Sequence, residues 1–224
     1  GVLYRSQLNF EKELQYKKNA LKIYEEIDNK PKQAGILKQI GFIYFALNDE
    51  KQAKEYFSQV LTILLSKDYL ENLNKNKDSI PLPLSEDSKA AEVDASPYYA
   101  DIYEATRYLD IGNIYGVLGE KDKQSEYLEK SLGFARSSKD LEMITLVLSF
   151  IGGAYSDKED WNKSLNYYKQ TLEISRQLPD KNGLASDLIN LANLYIETKE
   201  LQKALQHANE ALLIYQSLGA DKDD

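Results

Sequence analysis

Ile40-Gly41-Phe42-Ile43-Tyr44 is the stretch that decides the fold, because its Gly-x-x-Tyr core returns at a fixed period. The same spacing of glycine (or alanine) and tyrosine stands at Gly1–Tyr4, Gly112–Tyr115, Gly152–Tyr155 and Ala192–Tyr195. Successive matches start 40, 71, 40 and 40 residues apart, so one interval is a single period with 31 residues inserted. Self-similarity at a period of roughly 20–50 residues marks a repeat architecture. Other columns keep the frame. Twenty residues after each first residue come Leu21, Leu61, Leu132, Leu172 and Leu212. Just before these leucines stand Ala20, Val60, Ser131, Thr171 and Ala211, and two residues after them Ile23, Ile63, Phe134, Ile174 and Ile214. Fifteen residues after each first residue come Tyr16, Tyr56, Tyr127, Tyr167 and, in the last unit, His207.

Each unit holds two apolar periodic segments with a polar turn between them. Ile144, Leu148, Ile151 and Tyr155 recur at helical spacing, and Leu165, Tyr168 and Leu172 follow after the turn Ser156–Asp160. All five prolines (Pro31, Pro81, Pro83, Pro97, Pro179) fall between such segments, as the cost of proline inside a helix requires. Each unit therefore reads as helix A, a short turn, helix B and a linker. Gly41, Gly112 and Gly152 sit mid-helix, where glycine costs about 1 kcal/mol against alanine. Their recurrence predicts a close crossing of helix B, with Val60, Ser131 or Thr171 nearby.

These residues resemble the tetratricopeptide repeat family, whose pattern places Leu-Gly-x-x-Tyr on the first helix and Ala-x-x-x-Phe on the second. Ile40 to Tyr44 with Ala53 and Phe57 match best. Ala204 with Ala208, Ser164 with Tyr168, and Gln124 with Leu128 match progressively less well, and Glu13 and Lys17 depart from the pattern. The unit is 40 residues long against about 34 in the family, and six extra residues add about 9 Å of helix. HEAT-type repeats, with periods near 40, are the alternative; the Gly-x-x-Tyr column favours the tetratricopeptide reading. Long-helix arrays of this period resemble those of bacterial multidomain signalling proteins, including cyanobacterial chains with a caspase-like domain after the array.

The resemblance implies an all-α, right-handed superhelical solenoid of antiparallel helix pairs with about five repeats. The expected division is a partial repeat at 1–33, repeats at 34–74, 97–144, 145–184 and 185–218, and a tail or linker at 219–224. An inserted loop covers 75–96. Leu61, Leu64, Leu65, Tyr69 and Leu73 keep helical spacing, so the second B helix is expected to run to about Asn74. Within the loop, Ile80-Pro81-Leu82-Pro83-Leu84 reads as a tolerated surface excursion or as an extended apolar segment that docks on a groove. Gly1 already occupies the mid-helix column, so the expectation is a piece of a longer array.

Composition excludes several functions. The 224 residues carry 28 Lys+Arg against 36 Asp+Glu, a net charge of −8, with no cysteine and one histidine. A thiolate metal site, a disulfide framework and a two-histidine metal site are ruled out. The acidic balance argues against nucleic acid or an anionic membrane surface as a partner. The longest uncharged stretch, Met143–Ser156, falls short of the roughly 20 residues of a membrane span. With no secretory signal visible, a cytoplasmic location is expected. No phosphate-cradling glycine loop is present, so no cofactor is expected. His207 stands in a tyrosine column and reads as a packing residue, so no catalytic triad is assigned and the chain is read as a non-enzyme. Trp161 reads as a core anchor. Asp221, Asp223 and Asp224 read as a solvated tail, since nothing completes an EF-hand loop.

The positions of helix A that the core does not use are the informative ones. They are Lys38, Phe42, Phe45 and Ala46; Leu109, Asn113, Gly116 and Val117; Ser149, Gly153, Ser156 and Asp157; and Ile189, Asn193, Ile196 and Glu197, with Asp110 and Asn190 bordering. The resemblance implies that this face lines a concave groove holding a peptide, with asparagines bonding the peptide backbone. The candidate binding residues are Lys38, Phe42, Phe45, Leu109, Asn113, Ser149, Asn190, Asn193 and Ile196. Phe42 and Phe45 form a hot spot if exposed, or are buried by the adjacent helix A or by the insertion. The family's clamp for a chaperone C-terminus needs several cations, and only Lys38, with Arg107, is in range. The function expected is recruitment of a protein or peptide segment in a larger scaffold or signalling protein. The alternatives are a spacer that self-associates through exposed array ends, or a regulatory arm of a fused catalytic domain such as a caspase-like one.

Overall fold

One turn design recurs along the chain and shapes everything between. Asn48, Gly119, Glu159 and Lys199 share a column and all have positive φ, the left-handed conformation that ends a helix. The next residue in each case sends its N–H five residues back, to Tyr44, Tyr115, Tyr155 or Tyr195, at 2.8 to 2.9 Å. That residue is an acid every time. Asp49 and Asp160 also cap the following helix, accepting from the N–H of Gln52 and Lys163.

In this computed structural model the structure describes residues 2–69, 71–72 and 96–220, and of residues 2–9, 96–97 and 220 the backbone alone. The helices are α1 (Val2–Glu26), α2 (Lys30–Ala46), α3 (Glu50–Leu64), α4 (Ser96–Val117), α5 (Lys121–Ser138), α6 (Leu141–Asp157), α7 (Trp161–Ser175), α8 (Lys181–Glu197) and α9 (Leu201–Ala220). There is no strand among the described residues. None of the described helices is long and apolar enough to cross a membrane. The expected loop at 75–96, with its Ile80–Leu84 segment, lies outside the described residues except for Ser96.

The chain divides into two compact units, Gly1–Lys89 and Ala90–Asp224. In the first, α2 pairs with α3 and packs on α1. Leu14, Ile40 and Ile43 form its centre, with Phe10, Leu21 and Tyr56 against them. The expected extension of helix B to Asn74 is corrected here. Helix α3 stops at Leu64, and the chain is helical again from Tyr69. Asn72 then docks on the α1–α2 turn: its Oδ1 accepts from the Lys30 N–H at 2.9 Å and its Nδ2 donates to the Asp28 carbonyl at 2.8 Å. Tyr69 and Asn72 are both buried where the chain has bent back.

In the second unit α4 pairs with α5, α6 with α7 and α8 with α9. Each B helix hands on to the next A helix, and the A helices also touch one another, α4 with α6 and α6 with α8. Ile111, Ile114, Leu128, Val147, Leu148, Ile151, Leu188 and Leu191 fill the interior. Long polar side chains join the B helices. Tyr167 donates to Glu129 at 2.6 Å, and Arg176 pairs with Glu210 at 2.7 Å. The result is a solenoid stack of helix pairs.

The glycine column holds the pairs together. A β-carbon on Gly41 would stand 2.7 Å from the Phe57 ring, on Gly152 2.7 Å from the Tyr168 ring, and on Gly112 2.9 Å from Leu128. The residue opposite the glycine is thus the large one 16 positions later, not the small one expected from the sequence. Val60, Ser131 and Thr171 are buried elsewhere on the B helix, where Ser131 donates to the Ala105 carbonyl at 2.7 Å. In the last pair the volumes are exchanged: Ala192 replaces the glycine and Ala208 replaces the ring. One turn on, the two tyrosine columns stack on each other. Tyr44 lies on Tyr56, Tyr115 on Tyr127 and Tyr155 on Tyr167, with ring centres 5.4 to 5.6 Å apart. His207 takes the tyrosine's place and stacks on Tyr195 at 5.6 Å. Its Nδ1 is buried without a partner, and burial holds its pKa below the ordinary value.

Two predictions follow from these contacts. Gly152→Ala forces the Tyr168 ring aside and lowers stability by about 1–2 kcal/mol, overpacking outweighing the helix-propensity gain. Gly133→Ala, on an α5 position with nothing within 4 Å of a new β-carbon, raises it by up to about 1 kcal/mol. Urea unfolding of both variants decides the sign at each. His207 favours its neutral form in the fold, so the unfolded chain takes up the proton first as pH drops below about 6.5. His207→Tyr removes the stability loss on acidification from that point downward, read as the slope of Tm against pH.

Candidate binding face of the A helices

Helices α6 and α8 lie side by side because helix A of one repeat touches helix A of the next. A cleft of about 430 Å³ opens between their N-terminal halves, lined also by Ser175 at the end of α7 and by Leu178 after it. Helix α6 contributes Glu142, Leu146 and Ser149, and α8 contributes Gly183, Leu184, Asp187 and Asn190. Asn190 Nδ2 donates to Ser149 Oγ at 3.2 Å and ties the two helices across the cleft.

Asp187 is the chemically distinctive group. It occupies the column of Ile36, Arg107 and Val147, partly buried in the first two and fully buried at Val147, and is 9% exposed. Ser175 Oγ donates to its Oδ2. Burial pushes the Asp187 carboxyl above the ordinary range, the Ser175 bond opposes this, and the negative charge of Asp180 adds to it. Asp180 precedes α8 and makes no cap bond to it with its side chain. A β-carbon at Gly183 would stand 2.5 Å from Asp180 Oδ2, so glycine leaves room for that carboxylate over the first turn.

The candidate residues fall into two groups. Lys38, Phe42 and Phe45 lie on α2 in the first unit. Phe42 and Phe45 are 41% and 50% exposed, and the Phe42 ring packs edge-on against Phe57, 5.1 Å away. In the second unit Ser149 and Asn190 bond each other, and Asn193 and Ile196 are exposed along α8. Asn113 is half-buried on α4. Leu109 is the exception. It is 5% exposed and offers a partner no surface. In the second unit its column reaches the seam between neighbouring A helices, where Asn190 bonds Ser149. Ile189, on the last A helix described, is exposed. Arg107 is committed within its own helix, Nη2 lying 2.7 Å from Glu104 Oε2. Trp161 packs on the core of the last repeats, as expected.

The structure adds three residues that sequence reasoning missed. Leu146 and Phe150 are exposed on α6 one turn apart. Their signal was an apolar pair at i and i+4 outside the core columns. The signal for Asp187 was an acid in a column that is otherwise Ile, Arg or Val.

Comparison with known proteins agrees with this architecture. One model of the tetratricopeptide repeat matches residues 143–217, and a second matches 35–63 and 105–138, together more than half of the chain. The chain belongs to the tetratricopeptide repeat family. It is similar to the response regulator aspartate phosphatase I of Bacillus subtilis, 23% identical over 206 residues, covering 92% of this chain and 46% of that protein. It is also similar to the 43 kDa receptor-associated protein of the synapse of Tetronarce californica, 26% identical over 117 residues, covering 52% of this chain and 28% of that protein. The chain thus spans less than half the length of these curated relatives. Among solved structures, BtubC from P. vanneervenii superposes with a TM-score of 0.65 at 17% identity, covering 97% of this chain and 77% of that one. The aspartyl phosphate phosphatase F of Bacillus subtilis superposes with a TM-score of 0.63 at 10% identity, covering 96% and 50%. At these identities the likeness is one of fold.

In this tetratricopeptide repeat chain the raised pKa of Asp187 has a definite sign for stability. The folded state holds the Asp187 proton more tightly than the unfolded chain, so stability falls as pH rises from the ordinary aspartate range through the folded pKa. Asp187→Asn removes that loss. Its Tm at pH 7 is expected to exceed the wild type's, and the difference to vanish by about pH 3, below the unfolded pKa. Thermal unfolding across this pH range checks it.

Proposed function

We propose that the chain is a protein-interaction module whose A-helix face holds a segment of a partner protein. The observation that carries this reading is the α6–α8 cleft, lined by exposed Leu146, on helices that also expose Phe150, Ile189 and Ile196. Apolar side chains at that density next to hydrogen-bonding groups suit a bound chain segment. Asn193 offers a donor and an acceptor to a peptide amide, and Phe42 and Phe45 give the first unit its own apolar contact. On this reading the chain binds without performing chemistry, acts in the cytoplasm, and serves a larger protein of the long-helix kind seen in bacterial signalling. The repeats are taken as 34–74, 97–144, 145–184 and 185–218, with a partial one before them. The relatives support a regulatory setting, since their names concern a response regulator and a receptor at a synapse.

The test is selection of linear 12-residue peptides on the immobilised chain, followed by affinity measurement against Phe150→Ala/Asn193→Ala. An enriched peptide should bind the variant at least about tenfold more weakly, the loss of one hot-spot contact. Equal binding by both proteins removes the groove assignment.

A second reading has its own support. Leu212 is 53% exposed, whereas its column mates Leu132 and Leu172 are buried, and Leu201, Leu205 and Leu213 are exposed on the same helix. Helix α9 thus presents a face that inner repeats cover with the next A helix, and it can receive a second copy of the chain. Sedimentation of the wild type and of Leu205→Glu/Leu212→Glu separates this spacer reading, which requires a concentration-dependent dimer lost in the variant.

A further inference from the structure

We infer that the α6–α8 cleft is a subsite for a cationic side chain, arginine or lysine, carried by the bound segment, with Asp187 as its counter-charge. The inference rests on the reading of this face as a binding surface and names the chemistry it recognises. A carboxylate nine-tenths buried is costly unless a cation or several donors face it. Ser175 supplies a hydrogen bond to Oδ2, and Asp187 lines the cleft. Among the described residues, no cation lines the cleft, whereas Glu142 and Asp180 do.

The other repeats show what a satisfied charge at this column looks like. Arg107 stands at the matching position of α4 and is paired within the helix, three residues from Glu104. Around Asp187 the positions three and four residues away are Gly183, Leu184, Asn190 and Leu191, none of them a cation. The missing charge therefore comes from outside. Glu142, Asp180 and Asp187 do not form a group that could hold a metal ion. Leu146, Leu178 and Leu184 provide apolar wall for the methylene stem of a long cationic side chain. The net charge of −8 draws such a partner in.

The test uses acetyl-Gly-Ala-Arg-Ala-Gly-amide, the same peptide with lysine, and the same peptide with uncharged citrulline. Each is titrated into the whole chain while the backbone amide resonances of Leu146, Ser149, Asp187 and Asn190 are followed. The arginine or lysine peptide should shift them saturably, and citrulline should bind at least about tenfold more weakly. Asp187→Asn, which keeps the side-chain volume and can be checked for helicity, should lose the same factor. Glu142→Gln/Asp180→Asn, at two exposed positions, weakens binding by a smaller factor and guards against a folding defect in the first variant. Equal shifts from citrulline and arginine, undiminished binding by Asp187→Asn, or no shift at these amides overturns the inference. If peptides selected on this face bind well but carry no preference for a cation, the subsite falls and the binding face stands. If no peptide binds, both fall.

Discussion

A helix backbone pressed against a ring, with no room for a β-carbon between them, is the contact on which this molecule depends. Gly41 against Phe57 and Gly152 against Tyr168 are the clearest cases, and Leu128 against Gly112 is the aliphatic version. The approach costs helix propensity at each glycine, and the buried ring offsets that cost through its large apolar surface. Its consequence lies one turn further on. With the helices so close, Tyr44, Tyr115 and Tyr155 reach the tyrosines of the B helix and stack on them. The pair Ala192 and Ala208 shows that the shared volume is what matters, since Tyr195 still stacks on His207 there.

The turn at the end of each A helix belongs to the same constraint. The tyrosine that stacks is also the residue whose carbonyl accepts from the acid five positions later. Ring, carbonyl and left-handed turn residue therefore fix one another: a shift of helix A along its axis would break the stack and the turn bond together. In a repeat array each pair contacts only its neighbours, so this local rigidity sets how the next A helix is presented. The contacts of α6 with α4 and α8 are the outcome, and they form the A-helix face of the second unit.

That hierarchy explains what the sequence disclosed. Gly-x-x-Tyr is dictated by packing inside one repeat and was legible; the leucine column was legible too, but it is buried between repeats, as Leu132 and Leu172 against exposed Leu212 show. The partner of the glycine was not, because helical periodicity gives the buried face of helix B without saying which residue on it meets the crossing point. Phe57 and Val60 are both buried, and only the crossing geometry chooses Phe57. Leu109 was misplaced for a related reason. Its column is outward within its own repeat and inward between repeats, a distinction that no single repeat contains. The extension of α3 to Asn74 failed because Leu64, Leu65 and Tyr69 keep an apolar rhythm across a bend, where the deciding feature is the side chain of Asn72 bonding a turn 44 residues earlier.

The seam between α6 and α8 is where apolar packing gives way to polar contact. Within a pair, nearly every inward position is apolar or small. Between α6 and α8 the same geometry brings Ser149, Asn190 and Asp187 together, with Ser175 beneath. An apolar residue at position 187 would suit the core better, as Val147 does in the preceding repeat at full burial. Keeping a carboxylate there sacrifices stability that the fold could readily have. Departures from local consistency of this kind concentrate at functional sites. The array supplies a stiff, repeated frame, and one position in that frame holds a carboxylate, bonded by Ser175, where the preceding repeat holds a buried valine.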